Sequence, residues 1–274
     1  MSGLPRVTLN TGTAMPQLGL GVGHLTDAQT AVAVSTALEC GYRGIDTAAV
    51  YANERGTGRA LAASGLPRAD LFVTTKLWNA DQGHDRTLRA FDASLTALGL
   101  EYVDLYLIHW PQPDRELYPE SWRALERIHA EGRARAIGVS NFCIPHLERL
   151  VAGSGIVPAV NQIELHPWYQ RPALRAHHRA RGIATEAYSP LGQGDVLTLP
   201  VLTAIAGRYG VTAAQVVLRW NLQLGHIAIP RSADPARIRR NADLLGFALD
   251  DADLAAIAGL DAGRRLGPDL NGVG

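Results

Sequence analysis

Val103-Asp-Leu-Tyr-Leu-Ile108 runs into His109-Trp-Pro111, and Ala134-Arg-Ala-Ile-Gly-Val139 runs into Ser140-Asn141. Both are apolar runs of strand length, and Trp122 to Ala130 between them repeats its apolar residues at helical spacing. The same alternation continues in both directions. Strand-like runs recur at Leu18 to Leu20, Tyr42 to Ile45, Leu71 to Thr75, Ala159 to Ile163, Ile183 to Ala187 and Ile227 to Ile229. Helical stretches fall at Thr30 to Glu39, Arg86 to Leu98, Ile144 to Val151 and Ala213 to Leu222. With the two quoted runs that makes eight strands, and a hairpin from about Val7 to Pro16 precedes them, turning at Asn10-Thr-Gly12. Eight strand–helix units predict an α/β chain forming a closed (β/α)8 TIM barrel with a short N-terminal β-hairpin. A doubly wound sheet would need a glycine-rich phosphate turn, and Gly19-Leu-Gly21-Val-Gly23 lacks the GxGxxG spacing. No linker, low-complexity tract or charge run divides residues 1–274, so a single domain is expected.

Composition narrows the function. With 47% apolar and 19% charged residues, the 274-residue chain is too hydrophobic to be disordered. Lys+Arg and Asp+Glu are both 26, which argues against a nucleic-acid partner and gives no support for acidic membranes. The start, Met1-Ser-Gly-Leu-Pro-Arg6, lacks a charged region followed by an apolar stretch. No run reaches the roughly 18 apolar residues of a spanning helix. A cytoplasmic protein is expected, and a monomer, since no exposed apolar helix stands out. Cys40 and Cys143 are too few for a disulfide framework. No metal is expected: there is no HExxH, and His177-His178 cannot share a helix face. His166-Pro-Trp168 reads as a structural corner and Asp250-Asp-Ala-Asp253 as a helix start.

Barrel chemistry sits at the carboxyl ends of the strands. From the second strand to the eighth, each run ends on polar residues: Asp46, Lys76, His109, Ser140-Asn141, Asn161-Gln162, Glu186 to Ser189, and Arg231-Ser232. Any one alone reads as a loop residue or a cap; seven in succession would converge on one pocket. Lys76 is singular for another reason. The chain has 25 arginines and one lysine, so a lysine here is either a chance survivor or a position that needs a compact amine. Asp46, Lys76 and His109 come from adjacent strands, and Tyr51 opens the second helix. A cation beside a tyrosine lowers the phenol's pKa, and a carboxylate holds the cation in place. The four residues are expected to form a tuned acid, with His109 orienting a substrate oxygen. Singly they also read as a salt bridge, a buried tyrosine and a core histidine.

Gly41-Tyr-Arg-Gly-Ile-Asp-Thr-Ala-Ala-Val-Tyr51-Ala-Asn-Glu54 resembles the first signature of the aldo-keto reductases. Leu105 to Pro111, Gly138 to Phe142, Asn161 to Pro167, Ala187 to Gly192 and Ile229 to Ser232 resemble further blocks of that family, in order. The resemblance spans Leu18 to about Arg265, and the short loops are similar to the bacterial subgroup of 2,5-diketo-gluconate and methylglyoxal reductases. It implies a barrel enzyme that reduces a small-molecule carbonyl (an aldehyde, α-dicarbonyl or keto-sugar) to an alcohol with NADPH. By resemblance the catalytic set is Asp46, Tyr51, Lys76 and His109, with Tyr51 the proton donor. Ser140, Asn141 and Gln162 would hold the nicotinamide carboxamide, Tyr188 would stack on its ring, and the loop carrying Ser189, Leu191 and Gly192 would cover the pyrophosphate. Arg231, Ser232, Arg237 and Asn241 would grip the adenosine end, the arginines suiting a 2′-phosphate. Trp78 and Trp110 would wall the substrate pocket.

The chain departs from the family at several positions. Gly23 stands where an aromatic is common, Arg240 where an acid or amide is common, and Gly44 where histidine is frequent. The stretch from Gln193 to Leu199 is short. The tail from Asp261 to Gly274 is expected to help shape the pocket. Two other classes are compatible with parts of the pattern: a Schiff-base lysine aldolase, which explains Lys76 but not the residues on strands five to eight, and a cofactor-binding regulatory subunit without turnover.

Overall fold

Side chains alternate between the two faces of a strand, so in a barrel every second residue points at the axis. The computed structural model, which describes residues 4–268, is organised by that alternation. Residues 1–3 and 269–274, including the end of the tail expected at the pocket, lie outside the described residues. Strands β1 (Arg6–Thr8) and β2 (Ala14–Pro16) form the antiparallel hairpin. The barrel follows as β3 (Gly19–Gly21), β4 (Gly44–Asp46), β5 (Phe72–Leu77), β6 (Val103–Ile108), β7 (Ala134–Ser140), β8 (Val160–Glu164), β9 (Ala184–Tyr188) and β10 (Ile227–Ile229). Neighbours in that order pair in parallel. The ring closes where Gly21 N donates to Pro230 O at 3.2 Å and Leu18 and Gly21 bridge to Ala228 and Arg231.

The barrel floor is apolar. Leu9 and Met15 of the hairpin segment pack on the inward residues Phe72, Leu105, Ala136, Val160 and Ile227, and Asn10 ties the turn to the carbonyls of Val157 and Pro158. The hairpin therefore plugs the amino-terminal mouth. Gly138 is required in the interior: a Cβ there would lie 2.5 Å from the Val160 carbonyl oxygen. Outward residues such as Val73, Tyr106 and Val139 face the helix layer.

That layer is α1 (Asp27–Glu39), α2 (Glu54–Ala63), α3 (His84–Leu98), α4 (Tyr118–Ala130), α5 (Ile144–Ser154), α6 (Pro172–Arg181), α7 (Pro200–Tyr209), α8 (Ala213–Gln223) and α9 (Pro235–Ala242), with α10 (Asp251–Ala258) after it. Thr26, Thr212 and Asp250 each close a capping box, which satisfies backbone N–H groups at the starts of α1, α8 and α10. The acidic run at Asp250 is the helix start the sequence indicates. Phe91 of α3 meets Tyr106 of β6 edge-on at 4.7 Å, one of the contacts that fix helix to sheet. Among the described residues no single helix is long and apolar enough to cross a membrane, and both cysteines are unbridged.

Candidate active site

β4, β5, β7 and β9 extend through Asp46, Leu77, Ser140 and Tyr188, one or two residues beyond the apolar runs. Asp46, Lys76 and Ser140 are therefore not loop residues but the upper inward positions of their strands. The same parity along β8 and β9 aims Gln162, Glu164, Glu186 and Tyr188 inward.

Asp46 and Lys76 are buried, with Lys76 Nζ donating to Asp46 Oδ1 at 2.5 Å and to the Thr47 carbonyl at 2.9 Å. Asp46 Oδ2 accepts from Gln162 Nε2 at 2.8 Å. Tyr51 sits over this pair, its ring centroid 5.1 Å from Lys76 Nζ and its hydroxyl 3.5 Å from His109 Nε2. The His109 ring stands between two indoles, 5.3 Å from Trp78 edge-on and 6.4 Å from Trp110 in a stacked arrangement. All four suspected catalytic residues and both tryptophans thus meet at one place.

Burial is the largest single influence on each of these groups, though not always the winning one. It pulls the Lys76 ammonium towards neutrality, but Asp46 and Tyr51 outweigh it and hold the pKa above the ordinary value. It pushes Asp46 up, against Lys76 and Gln162, which favour the carboxylate. Burial and then the Lys76 charge hold His109 well below the usual histidine value, so the imidazole is neutral at pH 7. Tyr51 departs from the sequence-based expectation. Lys76 does favour its phenolate, but burial together with the Asp46 and Glu186 charges places its pKa above the ordinary value.

The remaining residues divide. Asn141, in the left-handed backbone region at φ 65°, donates to the His109 carbonyl at 3.0 Å and to Ser140 Oγ at 3.1 Å. It accepts from the Tyr188 hydroxyl at 2.9 Å. Ser140, Asn141, Gln162 and Tyr188 therefore form one network beside the tetrad. Asn161, by contrast, faces the helices, where it donates to His178 at 2.9 Å. Ser189 accepts from Gly192 N, and Leu191 packs on the core at the edge of this loop. At the far end Asn241 is buried, and its side chain makes no hydrogen bond among the described residues. Arg231 is exposed and donates to the Gly23 carbonyl at 3.3 Å; Arg240 is exposed.

Three features were not assigned from sequence. His24, at φ 61°, lies 6.4 Å from the Tyr51 ring, next to Gly23, where a Cβ would meet that same ring at 3.4 Å. Asp234 caps α9, accepting from Ala236 N at 2.8 Å, and pairs with Arg237 at 3.5 Å, so a carboxylate already engages groups expected to meet a phosphate. Glu164 latches the tail: its carboxylate accepts from Leu266 N at 2.6 Å, Gly267 N at 2.9 Å and His166 Nε2 at 2.9 Å. Arg265 then lies 5.9 Å from the Trp110 ring centroid, and Arg264 4.3 Å from that of Trp168. The His166-Pro-Trp168 corner is where the tail docks. Burial opposes the Glu164 carboxylate, but these donors hold its pKa below the ordinary range. The residue-type signal for Glu164 and Glu186 was strand parity, each standing two positions from an assigned neighbour.

Taken with the closed barrel, this rim defines an α/β-barrel oxidoreductase. The chain belongs to the aldo/keto reductase family, whose sequence profile matches residues 9–262. It is 55% identical over 265 residues to an aldo-keto reductase of Mycolicibacterium smegmatis, covering 97% of this chain and 96% of the relative. It is 51% identical over 267 residues to the methylglyoxal reductase DkgA of Yersinia pestis, covering 97% and 96%. A crystal structure of a Gox0644 variant in complex with NADPH is similar with a TM-score of 0.95 at 44% identity, over 100% of both chains. As a member of the family, the chain is an NAD(P)H-dependent reductase of carbonyl compounds.

Proposed function

We propose that this chain reduces small aldehydes and α-dicarbonyls to alcohols with NADPH, Tyr51 giving the proton. The observation that carries the reading is the buried Asp46–Lys76 pair beneath a phenol whose hydroxyl lies 3.5 Å from a neutral imidazole. A neutral His109 can donate one hydrogen bond from Nε2 to a carbonyl oxygen but cannot serve as the acid. Tyr51 and His109 can then converge on the same oxygen, where charge develops during reduction. A nicotinamide bound beside these residues would supply the hydride for the carbonyl carbon. Tyr51 passes its proton to the oxygen, and Lys76 stabilises the phenolate left behind while Asp46 holds Lys76 in place. Ser140, Asn141, Gln162 and Tyr188 are the residues that would hold the nicotinamide; Arg231, Ser232, Arg237 and Asn241 would hold the adenosine end. Trp78 and Trp110 would wall the pocket, with His24 beside the Tyr51 ring. The resemblance to a methylglyoxal reductase supports α-dicarbonyls as the substrate class. We further infer a single-domain, cytoplasmic monomer.

The aldolase reading fares worse on electrostatics. A Schiff-base lysine must present a neutral amine, whereas Lys76 is clamped as an ammonium by Asp46. Turnover followed at 340 nm with a panel of aldehydes, α-dicarbonyls and keto-sugars tests the proposal. Tyr51→Phe should retain NADPH binding, read by tryptophan quenching, and lose about 10²-fold or more in kcat/KM. Near wild-type reduction by the phenylalanine variant would remove Tyr51 from its role.

A further inference from the structure

Glu186 is fully buried, inside the barrel, on the inward face of β9 two residues before Tyr188. Gln162 Nε2 donates to Glu186 Oε2 at 2.9 Å and, with its other hydrogen, to Asp46 Oδ2 at 2.8 Å. One amide nitrogen therefore joins Glu186 directly to the carboxylate of the tetrad. Among the described residues Glu186 Oε1 has no hydrogen-bond partner, and Glu186 helps line a cavity of about 10 Å³ with Asp46, Thr74, Ile227 and Ile229, close to the volume one water needs.

The surroundings set the charge. β4 contributes Asp46, β5 contributes Lys76, and Tyr51 approaches from above, while β8 presents the neutral Gln162. β10 and β3 present only Ile227, Ile229 and Gly19 around the cavity. Lys76 is already committed to Asp46. With Glu186 neutral the buried group balances; with Glu186 ionised, a second carboxylate faces Asp46 across one amide with no second cation among these residues, an arrangement that desolvation penalises strongly.

We propose that Glu186 is a positioning residue for the reductase reaction: as a neutral acid it locks the Gln162 amide towards Asp46, and its ionisation weakens Tyr51 as a proton donor. The inference rests on the reductase reading above. Burial, and then the Asp46 charge, push the Glu186 carboxyl up to about 8, against Gln162 and Lys76. A negative charge at Glu186 raises the Tyr51 pKa, because it disfavours the phenolate that forms as the proton leaves. The proton transfer thus becomes harder as pH rises through Glu186, before Tyr51 itself titrates.

Two measurements test this. The first is kcat/KM for one small aldehyde with NADPH between pH 6.5 and 9, in wild type and Glu186→Gln. Glutamine keeps an acceptor for Gln162 and cannot ionise. Wild type should fall about three- to tenfold across that range, as a shift of about half to one unit in a neighbouring acid implies, and the glutamine variant should be flat. A flat wild-type profile, or the same fall in both proteins, would overturn the role. The second needs no turnover and no variant that must stay active. In an infrared pH titration, the carbonyl band of a buried protonated carboxyl should be present in wild type at pH 6.5, fade by pH 9, and be absent from Glu186→Gln. Its absence from wild type at pH 6.5 means that Glu186 is already ionised, which also overturns the proposal. If the band titrates as expected but no carbonyl is reduced, it is the reductase reading that fails.

Discussion

Replacing Lys76 by methionine keeps the length of the side chain and removes its charge from a site with no exposure to solvent. The ammonium lies 5.1 Å from the Tyr51 ring centroid. At an effective dielectric constant of about 20, a unit charge at that distance stabilises a phenolate by about 3 kcal/mol, or roughly two pK units. The variant should therefore lose between about ten- and a hundredfold in kcat/KM, depending on how far the proton has moved in the transition state. It should also raise the apparent pKa for alcohol oxidation, the direction that needs Tyr51 as the base. Asp46 loses its cation in the same step, and breaking a buried pair costs about 3–5 kcal/mol unless the carboxyl takes up a proton. Thermal unfolding of the variant over a pH series separates that cost from catalysis, since the cost shrinks as falling pH protonates Asp46, whose burial already pushes its pKa up. Lys76→Arg keeps the charge but must fit a planar fork into a space that already brings Nζ to 2.5 Å from Asp46. It should bind NADPH and still lose most of its activity, because displacing Tyr51 on the order of 1 Å can cost about a hundredfold. Wild-type rates in the arginine variant, or an unshifted oxidation profile in the methionine variant, would refute the reasoning.

Other consequences follow from the adenosine end and the tail. NADPH should bind at least about tenfold more tightly than NADH if Arg231 and Arg237 each meet a 2′-phosphate. Asp234→Asn keeps the α9 cap but removes the carboxylate beside Arg237, and should tighten NADPH several-fold on the scale of about 1 kcal/mol for an exposed charge, leaving NADH unchanged. Equal gains for both cofactors would show that Asp234 does not compete with the phosphate. Glu164→Gln should speed hydrogen exchange at Leu266 and Gly267, whose amides the carboxylate holds. The pH dependence has a definite sign: the folded Glu164 pKa lies below its ordinary value, so its contribution is present above about 4.5 and is lost as pH falls through the lower folded value. Unchanged exchange in the variant would mean that the tail is held by Arg264 and Trp168 instead.

The barrel and its hairpin were legible in the sequence because they depend on local, repeating signals, and the meeting of Asp46, Tyr51, Lys76 and His109 followed from their places along the rim. Eight apolar runs alternating with helical periods specify a parallel closed sheet, and a polar residue ending each run specifies a rim. A lone lysine among 25 arginines marked position 76 before any fold was known. Charge state was not legible, because a pKa depends on the sum of burial and neighbouring charges from distant strands. Sequence adjacency suggested that Lys76 would make Tyr51 a stronger acid; the closed interior adds desolvation, Asp46 and Glu186, and the net direction reverses. The roles of Glu186 and Glu164 belong to the same class. Each is one inward residue of its strand: pairing of β8 with β9 sets Glu186 beside Gln162, but only the closed barrel brings that amide to Asp46 on β4, and only the tertiary fold lays the tail, across 102 residues, onto Glu164. Periodicity along a strand says which face a side chain takes; what stands opposite is decided when the barrel closes.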